Sequence, residues 1–166
     1  MAKQAVPGRR SSESIDDYLK AIYALGGDSP RRVGSSELAK HLGVAPASIT
    51  NMLQKLSADK APLIDYKLGQ GVLLSVAGRR RALEIVRHHR LLETFLFEVL
   101  GYPIDELHDE AERLEHFISE SFEQRVAEKL NHPTHDPHGH CIPAMDGTMP
   151  PQHGTSCNCI RVAARA

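Results

Sequence analysis

Apolar residues recur at helical spacing along most of the chain. Ile15, Leu19, Ile22 and Leu25 share one face of a segment running from about residue 14 to 25. "GGDSPRRVG" interrupts it, and two shorter helical patterns follow over 36–42 and about 46–59. "LIDYK" and "VLLS" then flank "LGQG", which predicts a β-hairpin with a glycine-rich tip. From Val76 a long helical pattern reaches Leu100 and stops at Gly101, a residue suited to a left-handed helix end. Pro103 opens a further helix to about residue 118, and another covers 120–130. Beyond that, "NHPTHDPHGHCIPAMDGTMPPQHGTSCNC" has no periodicity and reads as loop or poorly ordered tail. The polar residues 1–11 read as a disordered arm. The pattern is mainly α with one small hairpin, and it contains no internal repeat.

A length of 166 residues suits one domain or two small ones, and 41% hydrophobic content supports a real core. No apolar run approaches the length of a membrane span, and the N-terminus lacks the apolar region of a signal peptide. Three cysteines, two of them at 157 and 159, do not make a disulfide framework. These features predict a cytoplasmic protein.

The net charge of −1 conceals a division. Residues 1–90 hold 15 Lys/Arg against 8 Asp/Glu, a charge of +7, whereas residues 91–166 hold 5 against 13, a charge of −8. A basic half suits a polyanion, and an acidic half suits something else. Nine of the ten histidines lie at or after position 88, on the acidic side. Histidines clustered with carboxylates are what hard or borderline metal sites use.

Within the basic half, "SSELAKHLGVAPASITNMLQKL" has the spacing of a helix-turn-helix. Ala39 is small enough for close helix approach, Gly43 fits the turn, and Ile49 packs the second helix onto the first. Pro46 suits the first helical turn, where no backbone donor is needed. Ala47, Ser48, Thr50, Asn51, Gln54 and Lys55 remain on the outer face, where small, hydrogen-bonding and basic residues can reach base edges and phosphates. An ordinary helical hairpin with a solvated face has the same local pattern. The β-hairpin that follows makes the order that of a winged helix, with Lys67 near the ribbon tip and Arg79, Arg80 and Arg81 beyond it available to phosphates.

In the acidic half, "HDEAERLEHF" places Glu112, Glu115 and His116 on one side of its predicted helix, with His108 a turn earlier. The preceding helix carries His89 and Glu93, an i, i+4 pair. A solvated polar face accounts for one such cluster. Two on adjacent helices can converge on a cation.

From about residue 14 to 143 the chain resembles the diphtheria-toxin-repressor family of metal-dependent regulators. The resemblance is carried by "DDYLKAIYAL", "SSELAKHLGVAPASITNMLQKL", "LLSVAG", "RHHRLLETFL", "HDEAERLEHFIS" and "PHGHCIP". It implies a winged helix-turn-helix over residues 1–75, a helical metal-binding and dimerisation domain over 76–143, and a flexible tail over 144–166. It implies a homodimer on palindromic double-stranded operator DNA, activated by a divalent metal, and repression of metal uptake. Carried over by position, the principal metal site falls on Asp17, Glu112, Glu115 and His116, and a neighbouring site on His89, Glu93 and His108. Taken alone, Asp17 also fits a capping box with Ser14.

By the same resemblance, iron-devoted members place Met and Cys where this chain has Asp17 and Glu112. The carboxylates here resemble the manganese-responsive branch, so Mn(II) is the expected cofactor and Fe(II) the second choice. That branch carries a second acid where this chain has Lys20. Two further departures are Lys60, Ala61 and Pro62, where the family turns on a glycine, and a chain ending at Ala166, short of a third domain. Cys157 and Cys159 with His153 are a weak metal motif and read as tail. A helical carboxylate enzyme is the rival from another class, but it needs Glu-x-x-His, and position 115 is Glu. A winged-helix regulator answering a non-metal signal is the other rival.

Overall fold

The computed structural model describes residues 11–27 and 31–150. Its elements run α1 (Ser11–Gly26), α2 (Ser35–Leu42), α3 (Pro46–Ser57), β1 (Ile64–Lys67), β2 (Gly71–Leu74), α4 (Val76–Glu98), α5 (Leu107–Leu114) and α6 (Glu120–Lys129). The N-terminal arm and residues 151–166, including His153, Cys157 and Cys159, lie outside the described residues. No helix among the described residues is long and apolar enough to cross a membrane.

The helix-turn-helix forms as its sequence predicts. α2 ends on Gly43 at φ 65°, a left-handed conformation that a side chain resists, and Pro46 occupies the first turn of α3. Ile49 and Leu53 of α3 are fully buried against Leu38 of α2 and Leu19 of α1. The wing is an antiparallel pair with Ile64 opposite Leu74 and Lys67 opposite Gly71. The chain bends through 58–61 without a glycine and still delivers Ile64 into the core. Val33 exchanges two 2.9 Å hydrogen bonds with Val72, so the segment before α2 is stitched to the wing's inner edge.

α4 is the spine common to both halves. Its Ala82 joins the core of the winged helix, while Leu91 packs with Val126, Ala127 and Ile142, and Leu92 and Leu96 pack with Leu107 and Ala111. Ser75 caps it by accepting the Gly78 N–H at 3.1 Å. The helix stops at Glu98, and Gly101 at φ 71° turns the chain back so that Tyr102 N–H reaches the Leu96 carbonyl at 3.0 Å.

Two regions differ from the sequence reading. α5 spans Leu107–Leu114 rather than 103–118. Residues 103–106 form a turn closed by Glu106 N–H on the Pro103 carbonyl, and Phe117 N–H folds back on Leu114. Ser119, extended at φ −90° and ψ 155°, caps α6 by accepting the Phe122 N–H, so the chain must leave the helix before it. Glu115 therefore lies at the helix end and His116 beyond it. Residues 131–143, read as loop or poorly ordered tail, are loop, and they pack closely against α4. Arg87 and Arg90 of α4 donate to the carbonyls of Pro143 and Cys141, Ile142 N–H donates to Thr134, and the Ile142 side chain enters the core. Arginine anchors and one inward isoleucine order a segment that has no helical or strand period. Residues 144–150, placed in the tail by sequence, begin with a turn in which Ala144 N–H donates to Thr148.

Candidate metal centre

Asp17 lies inside α1, in its second turn, so the capping-box reading does not hold. Its carboxylate faces out of the winged helix towards the end of α5, where His116 Nε2 stands 3.1 Å from Asp17 Oδ1. The same His116 Nε2 is 3.4 Å from Glu115 Oε1. One ligand atom from each of Asp17, Glu115 and His116 thus falls within 4.8 Å of the others, the convergence a small cation needs. Glu115 is fully buried. His116 Nδ1 is also buried and has no hydrogen-bond partner among the described residues. The hydrogen bond that His116 donates to Asp17 raises the His116 pKa against the opposing effect of burial, so protons compete with a metal for this nitrogen.

Glu112 does not join that triangle directly. It groups with Glu115 and His89, and Lys20 of α1 stands between the two glutamates, 2.6 Å from an oxygen of each. Burial works against the Glu112 charge, but the field of Lys20 and its hydrogen bond keep this carboxyl below the usual range.

His89 connects this group to the second one. Its Nδ1 lies 2.6 Å from Glu115 Oε2, and its Nε2 lies 3.0 Å from Glu93 Oε1 and 3.1 Å from His108 Nδ1. With a carboxylate on each ring nitrogen, His89 donates on both sides and is an imidazolium. Burial opposes that charge, yet the bonds to Glu115 and Glu93 outweigh it and raise the pKa to about 9. His89, Glu93 and His108 also meet the 4.8 Å convergence. All seven ligand candidates named from the sequence therefore meet in one continuous chain of groups on α1, α4, α5 and the two residues that follow α5. The donors fit a divalent ion: carboxylate oxygens and imidazole nitrogens, with protons on the histidines competing with the metal.

A family model described as "Iron dependent repressor, N-terminal DNA binding domain" matches residues 11–72, and one described as "Iron dependent repressor, metal binding and dimerisation domain" matches residues 75–144. The chain belongs to the iron-dependent repressor family. Among curated members, the iron-dependent repressor IdeR of Mycobacterium tuberculosis is 31% identical over 154 residues, covering 90% of this chain and 65% of that protein. The transcriptional regulator MntR of Oceanobacillus iheyensis is 34% identical over 119 residues, covering 72% of this chain and 78% of that protein. A solved manganese-dependent transcriptional repressor in complex with manganese is 43% identical with a TM-score of 0.75, over 83% of this chain and 62% of that one. The chain thus spans a little under two thirds of the mycobacterial relatives' length. Members of this family are repressors, not enzymes, which removes the carboxylate-enzyme rival.

One face of α3 lies at the surface. Ala47, Ser48, Asn51, Gln54 and Lys55 are exposed, Thr50 is half-buried and returns its hydroxyl to the Pro46 carbonyl, and Lys67 is exposed beside the wing tip. Two of the three arginines offered to phosphates are otherwise engaged. Arg81 pairs with Asp16 at 2.5 Å, and the Arg79 guanidinium lies over the Tyr23 ring.

Five participants escaped the sequence reading. Lys20 counted there as a missing acid rather than a cation in place. His88 donates from Nδ1 to the Glu115 carbonyl at 3.2 Å and from Nε2 to Glu123 at 2.9 Å, tying the end of α5 to α6. Asp136 and His138, with His140, form a further convergent group, and His138 Nδ1 stands 3.6 Å from Glu93 Oε2. The repeated His at 135, 138 and 140 was the available signal, set aside because the segment has no period.

Proposed function

We propose that this chain is a metal-dependent, DNA-binding transcriptional repressor of metal-uptake genes, activated by Mn(II) and secondarily by Fe(II). The observation that carries this reading is the Asp17–His116 contact, which joins α1 of the winged-helix half to the end of α5 in the other half. A divalent ion held by Asp17, Glu115 and His116, with Glu112 nearby, supplies positive charge to carboxylates that come from both halves. Asp17 then fixes α1, and through the shared core it fixes α3, relative to the helices of 76–143.

Ser48, Asn51 and Gln54 read base edges in the major groove, while Lys55 and Lys67 hold phosphates. Ala47 allows the close approach of α3, and Thr50 flanks the contact. Phe97, Leu100, Ile104, Leu114 and Phe117 leave apolar surface exposed on α4, α5 and their connections, which suits a symmetric homodimer presenting two winged helices to a palindromic operator. Three carboxylates and one imidazole make a hard donor set, which favours Mn(II) over softer ions. Among the relatives, IdeR is an iron-dependent repressor and the solved 43% identical repressor is manganese-dependent.

The test is an operator-binding titration at one salt concentration with Mn(II), Fe(II), Zn(II) and chelator, because phosphate contacts make affinity strongly salt-dependent. Binding is expected to tighten with each metal, and Zn(II) is expected to bind at least as tightly as Mn(II), because affinity in the tube follows the Irving–Williams order. Equal binding in excess chelator and excess metal would overturn the reading.

A further inference from the structure

Glu115 belongs both to the group with Asp17 and His116 and to the group with His89 and Glu112, and both of its oxygens already carry a cation. Oε2 takes the His89 imidazolium at 2.6 Å. Oε1, the oxygen that faces His116 Nε2 and Asp17, takes the Lys20 ammonium at 2.6 Å. The ammonium reaches Glu112 Oε1 at the same distance, so it occupies the space between the two glutamates. Lys20 lies three residues after Asp17 on α1 and therefore projects from nearly the same face of the helix. Its side chain is only 18% exposed, and its partner Glu115 is wholly buried, so water screens the contact weakly.

From this geometry we infer that Lys20 is a tethered cation that competes with the incoming metal for Glu115 and fills the place of a second ion between Glu112 and Glu115. The inference rests on the metal centre proposed above. It has two consequences. An ion that takes Glu115 Oε1 together with Asp17 and His116 must displace the ammonium from that oxygen, so Lys20 raises the metal concentration at which the centre fills. A second ion cannot share Glu112 and Glu115 while the ammonium stands there, so this pole holds one ion. In the metal-free protein the same contact ties α1 to α5, and Lys20 adds a second positive charge beside the buried Glu115 carboxylate.

The experiment is manganese titration of the whole chain, read by equilibrium dialysis and by electron paramagnetic resonance. It follows the binding step that Asp17→Ala weakens. Lys20→Gln is expected to bind that ion at least tenfold more tightly with no added ion, while Lys20→Arg, which keeps the charge, stays close to the original affinity. Lys20→Glu is expected to take up one more manganese per chain and to show the signature of an exchange-coupled pair. Lys20→Gln within twofold of the original affinity, or a coupled pair with Lys20 in place, would overturn the inference while leaving the metal centre standing. Should Lys20→Gln fail to fold, the Lys20→Arg and Lys20→Glu measurements decide it: an Arg variant with greatly altered affinity, or a Glu variant without the extra ion, overturns it. An Asp17→Ala protein that binds manganese as tightly as the original removes the centre itself, and the inference with it.

Discussion

In the winged-helix half the buried positions are filled by Leu19, Ile22, Leu38, Ile49, Leu53 and Val72 in one continuous cluster. Asp16 is the one buried charged residue among the described residues before 76, and it is paired with Arg81. In the half that begins with α4 the apolar residues fall into two smaller clusters, and His88, His89, Glu93, Glu115, Glu123 and Asp136 are buried around them. Apolar burial is indifferent to pH and ions. Buried charge is costly unless it is paired, so the second half is stable only while its carboxylates hold protons on histidine, an ammonium or a metal. One half is a rigid reader, and the other is a device whose energy depends on which cation occupies it.

The comparison is broken most severely by truncating the reader's core. Leu53→Ala removes a fully buried side chain and should cost about 2–5 kcal/mol in unfolding free energy. Because no titrating group is involved, that cost should be the same from pH 6.5 to 9 and with or without metal. Denaturant unfolding under those conditions checks it, and a pH-dependent cost would show that the two halves are not distinct in this way.

The second half should respond to pH instead. His89 titrates near 9 in the folded protein and near 6.5 when unfolded, so its stabilisation is fully present below pH 6.5 and is lost as pH rises through 9. In chelator, stability should therefore fall across that window, by on the order of 3 kcal/mol at full separation of the two values. Metal affinity should move the opposite way and rise with pH, because His89 and His116 must release protons to bind an ion. A flat thermal-melting profile between pH 6.5 and 9 would count against the imidazolium assigned to His89.

Asp17→Ala cuts the link between the halves without opening either core. Dimerisation and fold should survive, weakened metal binding should persist at Glu112, Glu115 and His116, and the gain in operator affinity conferred by metal should vanish. Couplings of this kind are typically 1–3 kcal/mol. Fluorescence anisotropy on operator DNA, with and without Mn(II), measures the loss directly. A fully metal-responsive Asp17→Ala protein would sink the bridging mechanism.

The smallest effects should come from single base contacts. Asn51→Ala and Ser48→Ala should each lose roughly 1–3 kcal/mol of discrimination between operator and random DNA at most, and leave metal affinity in the absence of DNA unchanged. Competition binding against random duplex at fixed salt checks this, and undiminished discrimination in both would place the reading face elsewhere.

The helix-turn-helix, the wing and α4 were legible because their signals are local. Gly43 and Pro46 act through their own backbone, and the apolar period of Ile49, Leu53 and Leu56 states which face turns inward. The resemblance also named the seven side chains that the structure brings together around α1, α4 and α5. What the sequence left open was every property that depends on contact between distant segments. α5 is short because Ser119 begins the next helix, and His116 reaches Asp17 from beyond its end across 99 positions. Residues 131–143 are ordered by arginines of α4 more than fifty positions earlier, and no periodicity records an anchor of that kind. Lys20 read as a departure from a pattern, and tertiary structure makes it a cation between Glu112 and Glu115. Periodicity encodes which face of an element is apolar. It carries no information on which buried charges meet, because their pairing is set by how α1, α4 and α5 pack, and the energy of each depends on all its neighbours at once.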